Sequence, residues 1–141
     1  MRRGATLIEL LLVLVIIGIL TAIAQPRVRN FADGLAVTRS TIDIAAAHRR
    51  ARIVAIVRSR PVELTVAAAE LAIRAQGDTT TLWHLAGPSA SGVTLMGPTR
   101  VIVFSPVGIS TGLSNASFQL SRGAIRRTVV VSRLGRLRIV P

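Results

Sequence analysis

Few residues in this 141-residue sequence carry the chemistry of an active site: two histidines, His48 and His84, and six carboxylates, with no cysteine. His48 stands beside Arg49 and Arg50, whose charges depress its basicity, and no acid close in sequence would orient it as a general base. His84 follows Trp83 and reads as one of a half-buried strand pair. A metal centre would need both histidines and an acid gathered from distant positions, and their spacing has no such pattern. No catalytic residue, metal or cofactor is therefore expected. Glu9 is the carboxylate in an unusual place. It is the only charge between residues 5 and 24, and a carboxylate inside an apolar helix costs on the order of 3 kcal/mol on insertion scales, so it is seldom kept without a partner.

The remaining charge is arginine, which supplies all 18 basic residues and a net charge of +12. After Asp78 there is no acid, while Arg100, Arg122, Arg126, Arg127, Arg133, Arg136 and Arg138 follow. A field of one sign attracts polyanions or anionic lipid headgroups. Arg122, Arg126, Arg127, Arg133, Arg136 and Arg138 could supply the phosphate contacts of non-specific DNA binding if the last hairpin gathers them. Arg136 and Arg138, two apart, fall on one face of a strand. The alternative is that all of them are solvated strand positions. Only Phe31, Trp83, Phe104 and Phe118 are aromatic, which leaves little material for stacking on bases. The absence of cysteine excludes disulfides and thiolate metal sites but leaves the compartment open.

The elements that must position these residues begin with the twenty residues 5–24, long enough at 1.5 Å per residue to span the ~30 Å hydrocarbon core of a bilayer. Arg2 and Arg3 would hold the short end in the cytoplasm. The rival is a secretory signal cleaved after Ala22-Ile23-Ala24, which has no use for Glu9. Pro26 lacks an N–H and crowds the preceding turn, so a kink or break is expected near Gln25. A second helical stretch, 27–59, is expected to end at Arg60-Pro61, with Ile44, Ala47, Ala51 and Val54 or Ala55 forming the face laid on a sheet.

From Pro61 the apolar period changes to two, through Val62, Leu64 and Val66, with later runs at 101–104, 116–120, 128–131 and 137–140. Residues 87–92 read as a mobile loop, and 108–112 as a turn, lacking the lysine and following helix of a phosphate-binding loop. The expected fold class is α+β: a long N-terminal helix, membrane anchor plus stalk, packed on a C-terminal antiparallel β-sheet head.

Gly4 followed by Ala5-Thr6-Leu7-Ile8-Glu9-Leu10 and a long aliphatic run resembles the class III signal of type IV pilins and type II secretion pseudopilins. The stretch from Val103 through Ser105-Pro106-Val107-Gly108 to Gly112, with the later Gly135-Arg136-Leu137-Arg138, resembles the GspH/FimT branch of that family. The resemblance implies that a prepilin peptidase cuts after Gly4 and methylates the new terminus at Ala5, where the family usually has Phe. It also implies that Glu9 is the glutamate of the fifth mature position and that Pro26 closes the first helical segment.

The implied organisation is a leader at 1–4, a transmembrane helix at 5–25, a stalk helix at 26–60 and a β-rich head at 61–141. The implied role is a minor subunit of a type II secretion or type IV pilus machine, single-pass in the inner membrane with its head in the periplasm, partnered by other pilins or pseudopilins. The alternative is a DNA-binding minor pilin serving DNA uptake. In a filament, a buried Glu9 needs a cation, and the one at that depth is the free amine of a neighbour's Ala5; the alternative is that Glu9 lies close enough to the headgroups to be solvated.

Overall fold

A computed structural model of the chain describes residues 6–111, 116–132 and 136–140. Of the expected site residues, Gly4, Ala5 and Arg133 lie outside these. The chain divides into two compact units, the first ending at Ala32 and the second beginning at Asp33.

The helix α1 spans Leu7–Val57. Thr6 caps it: its Oγ1 accepts the Glu9 N–H at 3.3 Å, satisfying a donor that the first turn otherwise leaves unpaired, and its carbonyl accepts the Leu10 N–H at 3.2 Å as the first bond of the helix. The helix continues through Pro26, so the break allowed for near Gln25 does not occur and no separate helix starts at Arg27. Proline removes the bond to the carbonyl four residues back and its ring crowds that carbonyl, and a helix with many turns on each side absorbs that cost. At its end the Ser59 N–H donates to the Ile56 carbonyl and the Arg60 N–H to the Ala55 carbonyl. Ser59 takes φ 48°, so a serine fills the left-handed position that glycine usually holds in this C-terminal motif.

Within the second unit a five-stranded antiparallel sheet is built from β1 Val62–Val66, β2 Glu70–Ala75, β3 Thr81–Ala86, β5 Arg100–Phe104 and β6 Ser110–Thr111, in the order β3-β2-β1-β5-β6. A four-stranded sheet contains β4 Thr94–Met96, β7 Ala116–Arg122, β8 Ile125–Val131 and β9 Leu137–Val140, in the order β4-β7-β8-β9. The expected alternation holds in β1, where Val62, Leu64 and Val66 are fully buried and Glu63 and Thr65 are not. Ile44, Ala47, Ala51 and Ala55 of α1 pack into one cluster with β1, Leu71, Ile73, Phe104, Phe118, Leu120 and Val129. Alanine on three successive turns brings the helix backbone close to the sheets.

Residues 87–92 form a packed turn instead of a mobile loop. Pro88–Ser91 is a 3₁₀ turn with Pro88 buried, and the Gly87 N–H donates to the Ala69 carbonyl at 2.8 Å. A Cβ at Gly87 would collide with the backbone of Ala68 and Glu70, so only glycine permits this approach.

Candidate functional site

The first unit consists of helix whose apolar side chains have no partner within it. Every described residue from 6 to 32 is exposed, although the most apolar 18-residue window has a mean hydropathy of 2.9. A core helix buries its apolar residues, and this one does not. Glu9 sits in the first turn, where the helix dipole favours an acid.

The second candidate site is the outer face of the four-stranded sheet, and strand pairing sorts the arginines there. The pairs Leu120↔Arg127, Phe118↔Val129 and Ala116↔Val131 put Arg127 on the inner face with the buried side chains, since alternate residues share a face. Arg126, opposite Ser121, and Arg138, opposite Val130, lie on the outer face. Arg136 is two residues before Arg138, and its N–H donates to Ser132 Oγ at 3.2 Å. Arg126, Arg136 and Arg138 are exposed. None of the four strands contains an acid.

Arg122 is committed elsewhere. Its Nε lies 2.8 Å from Asp33 Oδ1, and an Nη donates to the Ser91 carbonyl. Of the five candidate arginines among the described residues, three thus share one solvent-facing surface, one lies on the inner face, and one holds a structural ion pair. No spacing in the sequence signals the Asp33 partnership.

The histidines occupy different environments. His48 is 2% exposed, its ring edge-on to Phe104 at a centroid distance of 5.0 Å, and its Nε2 has no hydrogen-bond partner among the described residues. Burial, then the charges of Arg52 and Arg49, hold its pKa below the ordinary 6.5, so the ring stays neutral as packing material. His84 is exposed and lies 3.5 Å from Glu70 Oε2. Trp83 is the half-buried member of that pair, with the Arg50 guanidinium 5.4 Å from its ring, a contact sequence reading missed. No group of three or more His, Cys, Asp or Glu residues that could hold a metal exists among the described residues.

A helix led by an unburied apolar segment, with its later turns packed on antiparallel sheets, is the architecture of pilin-like subunits. Two crystal structures of the type IV minor pilin FimU from Pseudomonas aeruginosa strain PAO1 share the fold. One has a TM-score of 0.63 and 18% identity, covering 74% of this chain and 88% of that one. The other has a TM-score of 0.60 and 17% identity, covering 74% and 92%. The chain belongs to the GspH family: the type II transport protein GspH model matches residues 28–135, and the prokaryotic N-terminal methylation motif matches residues 1–25. No curated protein matches the chain by sequence.

Proposed function

We propose that the chain is a minor pseudopilin of a type II secretion or type IV pilus machine. It is a structural subunit without catalysis, anchored in the inner membrane by a single pass, its short N-terminus cytoplasmic and its head periplasmic. It assembles with other pilins into a pseudopilus, a pilus or a tip complex. The supporting observation is the leading helix, exposed from residue 6 to 32 despite its hydropathy, because such a surface is stable only in lipid or against other helices. A prepilin peptidase cuts after Gly4 and methylates Ala5, and Glu9 of one subunit pairs with the terminal amine of the next.

Intact-mass measurement of the membrane-extracted protein tests this reading. A polypeptide beginning at Ala5, with a methyl group on its amine, is expected. A product beginning at Gln25 would establish a cleaved secretory signal and overturn the anchor.

A second reading, DNA capture by the head, is favoured by one observation: Arg126, Arg136 and Arg138 share an acid-free outer face. Such a surface binds phosphates without reading bases.

A further inference from the structure

The two sheets end in four edge strands, β3 and β6 in one and β4 and β9 in the other. An edge offers unpaired backbone N–H and C=O groups to any extended chain, and proteins blunt their edges by shortness, charge or proline. Three of these edges are blunted so: β6 has two residues, β4 three, and β9 has four and contains Arg138. The fourth, β3, has six residues, Thr-Leu-Trp-His-Leu-Ala, with no proline and no permanently charged side chain. Among the described residues, β2 is its only strand neighbour.

The pairing also says which groups are available. Gly87 and Ala69 lie opposite each other one step beyond the Glu70↔Ala86 pair, and Gly87 donates to Ala69. Antiparallel pairs alternate between bonded and non-bonded, so Leu85 and Trp83 bond to β2 while the N–H and C=O of His84 and Ala86 point away from it. Beside this edge lies a groove of about 550 Å³ lined by Ala46, Arg49, Arg50, Ile53, Val54 and Trp83. Its walls are apolar and its charges are all positive. Neither Arg49 nor Arg50 has a carboxylate within ion-pair distance among the described residues. On the other face of the sheet Glu70 is already shared between Arg74 and His84.

We propose that β3 accepts an added strand from a partner protein, an extended segment whose groove-facing side carries carboxylates flanking an apolar residue. The carboxylates meet Arg49 and Arg50, the apolar side chain seats on Ile53, Val54 and Trp83, and the backbone pairs with His84 and Ala86. A second copy of this chain is not the occupant. Two chains of net charge +12 repel each other, and a second β3 has no carboxylate to bring. The inference goes beyond the subunit role proposed above and does not depend on it.

The test uses the full chain in detergent micelles and an end-blocked peptide, Thr-Glu-Thr-Leu-Thr-Glu-Thr, with its Lys-for-Glu counterpart as control. Amide hydrogen exchange read by NMR should slow at His84 and Ala86 on adding the acidic peptide, and not on adding the basic one. His84→Pro removes an outward N–H while sparing the bonds to β2, and should weaken binding about tenfold. The exposed substitution Arg49→Glu should weaken it severalfold and reduce its salt dependence. Absence of protection at His84 and Ala86, protection at β9 instead, equal binding of the basic peptide, or undiminished binding by His84→Pro would each overturn the proposal.

Discussion

Arg122 Nε and Asp33 Oδ1 lie 2.8 Å apart, and the same guanidinium holds the Ser91 carbonyl, so one side chain joins the end of β7 to α1 and to the 3₁₀ turn. Arg122→Gln is expected to lower stability by about 1 kcal/mol, a modest figure because the pair is part-exposed and screened by solvent. Chemical denaturation of the full chain in micelles measures it. An unchanged midpoint would mean that the ion pair contributes nothing.

The neighbouring hairpin is equally constrained. Gly123 takes φ 55° at the first central position of the two-residue β7–β8 turn, where glycine is preferred, and a Cβ there would fall 2.5 Å from Asp33 Oδ2. Gly123→Ala should destabilise the head by roughly 1–3 kcal/mol. Adding Asp33→Ala should recover the part that comes from the collision, and a strictly additive double mutant would exclude that contact.

His48 predicts a pH dependence. Its folded pKa lies below the ordinary 6.5, so below pH 6.5 the unfolded chain binds more protons than the folded one. Stability is therefore fully present above that value and is lost as pH falls, by up to about 1.4 kcal/mol per pH unit until the folded ring itself protonates. Denaturation midpoints at pH 7.5 and 5 should differ in the natural protein and much less in His48→Leu. An identical pH slope in both would assign the effect to other groups.

Glu9→Ala should leave membrane insertion and the head intact, because the carboxylate is exposed within its own chain. Crosslinking to partner subunits should fall if Glu9 pairs with a neighbour's amine, and undiminished crosslinking would leave it a solvated residue.

Changing Arg126, Arg136 and Arg138 together to Gln should separate the two functional readings. If the outer face captures DNA, the slope of log affinity against log salt becomes shallower by roughly three units, near 0.9 per phosphate contact. Arg127→Gln, on the inner face, should change it little. A full chain that retains no DNA at low salt would leave assembly as the role of the head.

What the sequence determined by itself were the features written in local patterns. The apolar run from 5 to 24, the helix face of Ile44, Ala47, Ala51 and Ala55, and the alternation of Val62, Leu64 and Val66 follow from hydropathy and period, which need no knowledge of distant residues. The last hairpin's strands were legible for the same reason.

Pairing decided the rest. Trp83 and His84 read as a strand pair, but Leu82, Trp83 and Leu85 do not alternate cleanly, so the extent of β3 and its place in the sheet follow only from its register with β2. Residues 87–92 looked mobile from their glycine, serine and proline content, yet Ala68 and Glu70 close over Gly87. Neighbouring arginines 126 and 127 must face opposite ways on any strand, but only the pairing of Arg127 with Leu120 shows which one meets solvent. The partnership of Arg122 with Asp33 joins residues far apart in the chain, and no local spacing encodes it, because such contacts exist only once the helix and both sheets have packed.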